Sequence, residues 1–530
     1  MPDACVSRAT MSETLEHASG KRMDHRNREQ QGADQLDRAD VGKGSIHSRS
    51  VHSATVINAR DALGALADSV GFPRDELARV DLTGAEPSLP SSFAVGTAAQ
   101  VSIAAAAMSA LSLWHRRGGA EQRVAVDMRD AARECCGIFL VDGKRLEPWD
   151  KIAGLYRCRD GWVRLHTNFE HHRDGVLSLL GCPTGADTPR ERVAQALTDW
   201  NALDFESAAA ERKLVVAAAR SIEEWHQHPQ HRALSSEPLV AIERIGEAAP
   251  RPPHSLASAT LPDRGSAGAT SPNQARPLTG VRVLDLTRIL AGPACGRTLA
   301  AYGADVMLVN SPKLPNISAI ADLSRGKRSV HIDLHDADGR TTLNALLREA
   351  DVFVQGYRPG GLADLGFSPQ TLARTRPGIV CVSLSAYGFS GPWAGRRGFD
   401  SLVQTATGLN LAEAQAAGST EPKALPMQIL DFASGFLMAF GAQVALGRQW
   451  REGGSWEVRV SLARTAAWLW TLGRVEGGLA IPMPKFDDMM ETVPSGFGAL
   501  TASRHAARFS RTPARWDRPS VPPGTDFPRW

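Results

Sequence analysis

The sequence predicts an α/β fold in two folded parts: a parallel-sheet half toward the C-terminus, residues 278–475, and a smaller α+β half, residues 54–246. Three observations predict it. First, Val281 to Leu286 is a short apolar strand, Thr287 to Pro293 a turn, Ala294 to Tyr302 a helix ended by Gly303, and Ala304 to Val309 the next strand. Strand, helix and strand in so short a run form a βαβ unit, whose crossover forces the strands parallel. Second, strand-like runs recur at Ser329–Leu334, Asp351–Gln355 and Ile379–Ser383, each after helix-like or turn sequence. Third, the N-terminal half has another texture: a long Ala-rich helix at Ala98–Trp114, then Arg123–Met128, then strand-like Gly161–Leu165. Helical stretches near 173–181, 189–198 and 204–220 follow.

The segments around these halves are poor in apolar residues. Residues 1–53 are rich in Asp, Arg, Gln, His, Ser and Gly. Burial there cannot offset the entropy of ordering, so a disordered arm is expected. Met11 and Met23 offer alternative starts. Residues 247–277 place six prolines among Ser, Ala and Gly, the composition of a linker. Residues 476–530 form a C-terminal extension. Its last stretch, Ser503 to Trp530, holds six Arg, five Pro and two Asp and is expected as an extended basic tail, solvated or packed on a neighbour.

The 530 residues are 43% hydrophobic and 22% charged, as in a globular protein. Against 57 Asp and Glu stand 60 Lys and Arg, and the resulting +3 excludes a nucleic-acid footprint over the whole chain. No uninterrupted apolar window reaches the ~18–20 residues of a membrane helix. Leu430 to Gly447 carries Asp431 and Gln443, and Val101 to Trp114 is shorter still. Neither nucleic acid nor membrane is an expected partner. Seven Cys without a CxxC pair suggest neither a disulfide framework nor a zinc site. The N-terminus lacks a charged-then-apolar leader, so a cytoplasmic location is expected.

An internal repeat relates Thr97–Ala132 to Asp431–Ala466 at a constant offset of 334. Each copy reads as a helix of small and apolar residues, an Arg-rich exit, a Gly turn and a strand with alternating Val. Chance similarity in Ala-rich sequence is the bland reading. The copies differ at their first position, Thr97 in one and Asp431 in the other.

Candidate chemistry is sparse. Neither GxGxxG, GxxxxGK[ST], HExxH nor GxSxG stands where a strand and helix would support it. Leu290-Ala-Gly-Pro293 opens a helix after the first strand, either as a phosphate-facing loop or as a plain tight turn. His226, His228 and His231 are broken up by Pro229 and lack a nearby carboxylate, so no metal site is expected. His171 and His172 read as a solvated helix start. Asp431 is a carboxylate set against a long apolar helix. It is either an N-cap or a nucleophile held in an apolar, water-poor pocket.

These residues sit in a wider pattern: Pro277–Thr287, Ala291-Gly-Pro293, Tyr302–Asp305, Ser324–Val330, Tyr357-Arg-Pro-Gly360, Ser385–Gly388, Arg397-Gly-Phe-Asp400 and Val458–Leu462. In that order they resemble the family III CoA transferases, which include formyl-CoA and carnitine-CoA transferases and α-methylacyl-CoA racemase. The resemblance implies a Rossmann-like C-terminal half in a family III CoA-transferase-like fold. It implies Asp431 as the catalytic aspartate, and Ile289, Leu290, Ala291, Tyr357 and Arg358 near coenzyme A. The N-terminal half, through Gly154–Tyr156, Asp160–Val163 and Trp225–Gln230, resembles the rest of the same family, so the halves stand in permuted order. Phe399 occupies the position where racemases carry a histidine base.

The resemblance therefore implies an acyl-CoA:carboxylate CoA-transferase working through an aspartyl nucleophile and an aspartyl-CoA thioester. Its substrates are an acyl-CoA and a carboxylic acid, with no permanently bound cofactor. Members interlock as dimers, which admits a homodimer here. The alternatives are an acyl-CoA racemase or isomerase and a CoA-binding pseudoenzyme.

Overall fold

Central strands rich in Val and Leu, such as Val352–Gln355 and Val380–Ser385, need cover on both faces, and the C-terminal half provides it. The computed structural model describes residues 56–251 and 275–530; the arm expected over 1–53 and the middle of the 247–277 linker lie outside the described residues. A seven-stranded sheet runs in the spatial order Lys327–His331, Asp305–Asn310, Arg282–Leu286, Val352–Gln355, Val380–Ser385, Ser455–Ser461 and Ala241–Gly246. Six neighbouring strands are parallel, and the last joins antiparallel. In chain order the parallel strands read 3-2-1-4-5-6, so the order reverses between Arg282–Leu286 and Val352–Gln355. Ligands of open α/β sheets bind at the carboxyl ends of strands at such a reversal.

The antiparallel edge strand comes from the N-terminal half, so the two halves share one sheet. The exchange is mutual. Ala507–Phe509, from the C-terminal tail, pairs antiparallel with Val124–Asp127, which pairs parallel with Val80–Thr83. The tail is thus built into the fold, a correction to the extended arm. Trp516 donates its indole N–H to the Arg297 carbonyl at 3.0 Å and lies under the Arg325 guanidinium. Further on, the Asp526 backbone N–H donates to the Ser329 carbonyl. Apolar rings among the arginines, which the charge count passes over, give the tail its anchors.

Two long helices fill the centre. Val95–Arg116 and Ile429–Glu452 are long and apolar enough to cross a membrane by length and composition, and the apolar stretch of each is wholly buried, with only the Arg-rich C-terminal turns reaching the surface. The first is longer than the expected 98–114, because Val95, Gly96 and Thr97 are also buried and helical. Their small side chains let the backbones approach: Gln443 donates across the interface to the Ala106 carbonyl at 3.0 Å, and Gly447 lies against Leu113. A smaller sheet, Gly154–Arg157, Trp162–Leu165 and Val216–Ala218, carries the helices Glu170–Leu179, Arg190–Leu197 and Ala202–Glu211. The stretch expected as helix over 204–220 ends at Glu211, and its β-branched continuation is the strand Val216–Ala218.

Candidate active site

The carboxyl ends of strands 282–286, 352–355 and 380–385 open onto a cavity of about 320 Å3. Its lining includes Ile289, Leu290, Ala291, Tyr357, Arg358 and Asp431, all six residues singled out in the sequence. Phe169, His171 and His172 from the N-terminal half complete the wall. His172 is only 5% exposed, which corrects its reading as part of a solvated helix start. A larger cavity of about 750 Å3 lies elsewhere, under the C-terminal segment, and contains none of these six residues.

Asp431 is the third residue of helix Ile429–Glu452, and its side chain is not the cap. That task falls to Asp400. The Asp431 backbone N–H donates to Asp400 Oδ2 at 2.8 Å, the Leu430 N–H also bonds this carboxylate, and Gln404 donates to Oδ1 at 2.6 Å. A helix start leaves several N–H donors without partners, and Asp400 satisfies two of them from another segment. The Asp431 carboxyl is thereby released to face the cavity. It is 7% exposed and meets the Ala291 N–H, itself a first-turn donor of helix Ala291–Ala301.

Burial is the main cause that pushes the Asp431 carboxyl well above the usual carboxylate range, and the nearby Asp400 adds to it. Asp400 is raised by burial too, but the N–H groups of Asp431 and Leu430, the Gln404 amide and the Arg164 charge favour its ionised form. Of the pair, Asp400 keeps the charge more readily, because it has more donors. Asp431 has one, and is correspondingly reactive once ionised.

The Ala291 donor is held from behind. Lys327 is wholly buried; its Nζ donates to Asp285 Oδ2 at 2.7 Å and to the Pro293 carbonyl at 2.8 Å. Thr287 donates to the other oxygen of Asp285. In front, Gly435 brings the Asp431 helix so close that an added Cβ would lie 2.5 Å from the Ala291 carbonyl oxygen. The Ala291 peptide is fixed between the two.

Cations frame the cavity mouth. Arg288 lies over the Phe169 ring and donates to the Pro315 carbonyl, while Arg397 donates to the Lys213 carbonyl at 3.1 Å and approaches His172 Nε2 at 3.4 Å. Arg358 and Arg396 also line it. Such a mouth suits phosphates and carboxylates. Phe399 stacks on the His166 ring, centroids 3.9 Å apart. Burial pushes both His166 and His172 down to about 3, so these rings are neutral near pH 7.

Other sequence candidates lie elsewhere. His228 caps a helix, its Nδ1 accepting the Gln230 N–H at 3.1 Å, and stacks with Trp225. Among the described residues, no group of three or more His, Cys, Asp or Glu is placed to hold a metal ion. Asp400 and Arg288 stand at the site without having been singled out in the sequence, and His171 and His172, expected at a solvated helix start, line its cavity too. The Gly-Phe-Asp motif contained the signal for Asp400. The histidines and Arg288 come from distant segments and carried none.

Residues 278–476 match the family model described as CoA-transferase family III. An acyl-CoA transferase of Gibberella moniliformis is 29% identical over 75% of this chain and 74% of its own length. An acetyl-coenzyme A transferase of Hypoxylon pulicicidum is 30% identical over 60% of this chain and 54% of its own length. A succinate–glutarate CoA-transferase of Agrobacterium fabrum is 30% identical over 36% of this chain and 52% of its own length. The chain therefore spans about three quarters of the first relative and about half of the other two.

Proposed function

We infer that the protein, whose residues 278–476 are a CoA-transferase family III domain, moves coenzyme A from an acyl-CoA to a free carboxylic acid with Asp431 as nucleophile. One observation carries the reading: Asp400 caps the helix in place of Asp431, so a buried carboxyl faces a cation-rimmed cavity with an N–H donor beside it.

The Asp431 carboxylate attacks the thioester carbonyl, the C–S bond breaks, and CoA leaves as thiolate from a mixed acyl-aspartyl anhydride. The thiolate attacks the aspartyl carbonyl of that anhydride, releasing the first acid as carboxylate and leaving an aspartyl-CoA thioester. The acceptor carboxylate attacks this thioester and displaces CoA thiolate. The thiolate then takes the acceptor acyl group from the second anhydride and frees Asp431. No net proton is consumed. Each exchange is split into acyl transfers between good leaving groups. Leu290, Phe399 and Leu462 give the cavity an apolar wall, which limits the water available to hydrolyse either anhydride.

Phe399 stands at the expected racemase position and can take no proton, and burial leaves the neighbouring His172 a weak base, which favours transfer over α-proton exchange. The test is to mix the protein with a panel of acyl-CoAs, quench with hydroxylamine and map the modified peptides. An adduct on Asp431 that is absent from Asp431→Ala supports transfer. Full transfer by Asp431→Ala, or α-proton exchange with deuterated water and no acceptor acid, overturns it.

A further inference from the structure

The Thr97 and Asp431 helices share more than sequence spacing. Thr97 is the third residue of its helix, as Asp431 is of its own. Its backbone N–H donates to a carboxylate of a preceding segment, Glu86 Oε1 at 2.7 Å, just as the Asp431 N–H donates to Asp400. Each helix leads to a strand, Val124–Asp127 or Ser455–Ser461, flanked by one parallel and one antiparallel neighbour. The next helix is capped in both cases by the last residue of that strand, Asp127 or Ser461, at the same offset of 334. Chance does not reproduce capping, strand order and strand direction together.

The two copies differ where chemistry would occur. In the Asp431 copy, residues 386–428 separate the parallel neighbour from the helix and supply Arg396, Arg397, Phe399 and Asp400. In the Thr97 copy, only residues 84–94 do so, and they fold directly onto the helix start. A Cβ added at Gly96 would lie 1.9 Å from Ser88 Oγ, and Thr97 is 1% exposed. No cavity described above reaches Thr97.

We propose that residues 59–135, completed by the tail strand Ala507–Phe509, are a second, sealed copy of the nucleophile module that serves as the built-in partner of the Asp431 helix. The buried face of Ile429–Glu452 is filled from within the same chain by Val95–Arg116. The chain therefore holds one working site and needs no second chain to complete it. The tail strand gives the sealed copy the antiparallel edge that Ala241–Gly246 gives the working one. Only the count of working sites rests on the assignment of Asp431 as nucleophile; the filled interface does not.

The experiment has two arms on the full chain. Under saturating acyl-CoA, adducts per chain are counted by intact mass for the unmodified protein and for Asp431→Ala combined with Thr97→Asp. One adduct per chain is expected for the first and none for the second. An adduct at position 97, or two per chain, overturns the sealed copy. In the second arm, solution mass is measured across a thousandfold dilution, with acyl-CoA binding read at each step. Undiminished binding per chain by a 56.8 kDa species is expected. A dimer whose dissociation abolishes binding overturns the built-in partner. A protein that forms no adduct at all refutes the transferase reading, and the second arm still decides the interface.

Discussion

Gly435→Ala tests whether the close approach of the Asp431 helix to the Ala291 peptide matters for chemistry. The added Cβ would sit 2.5 Å from the Ala291 carbonyl oxygen and 2.8 Å from the Ala294 Cβ, whereas ordinary contact begins at 3.4 Å. The two helices must therefore separate by about 0.9 Å, the gap between 2.5 and 3.4 Å. Overpacking of this kind costs about 1–3 kcal/mol, and the gain in helix propensity from Gly to Ala returns up to about 1 kcal/mol. The expected net loss of stability is about 0–3 kcal/mol, small enough for the protein to fold. Chemistry should suffer more. A displacement near 1 Å in a reacting site costs on the order of a hundredfold in rate. Stopped-flow release of CoA thiol in a single turnover measures the adduct step, and chemical denaturation measures stability. A single-turnover rate within twofold of the unmodified protein would refute the claim that Gly435 and Ala291 set the geometry of Asp431.

Three further predictions concern charge. Asp431→Asn should stabilise the protein at pH 7–8: the raised pKa means the folded state holds this proton more tightly, so stability falls as pH rises above the unfolded value near 3.8. The gain over the unmodified chain should vanish near pH 4, read as thermal unfolding across pH. Asp400→Asn removes a charge that raises Asp431, so the rise of adduct formation with pH should move to lower pH, while the amide oxygen still accepts from the helix start and keeps the cap. An unmoved profile contradicts the pairing of the two carboxyls. Lys327→Met strands a buried Asp285 and should cost about 3–5 kcal/mol, whereas pairing it with Asp285→Leu should restore most of that stability without restoring the single-turnover rate.

Much of the architecture was legible because it rests on local pattern. The strands between Val281 and Ser383 are mostly apolar, with the alternating Ser329–Leu334 at the sheet edge, and their spacing forces parallel crossovers. Their observed bounds differ from expectation by a few residues. Asp431 stood out as a charge in an apolar helix, but sequence alone left cap and nucleophile as rivals. Deciding between them needed Asp400, which reaches the helix start from 31 residues earlier. The cavity wall contributed by Phe169, His171 and His172 depends on how the halves meet, which no local pattern records. The tail was misread for a related reason: its arginines suggested solvent, while Trp516 and Phe509 carry the packing, as half-buried and buried side chains respectively.

The central claim is that Asp431 becomes covalently bound to acyl and to CoA in turn. Its most direct measurement is peptide mapping by mass spectrometry after rapid quenching with one reactive acyl-CoA. The expected result is a single modified peptide, with an adduct on Asp431 that disappears in Asp431→Asn. Turnover with no modified Asp431, or an adduct on any other residue, would contradict it.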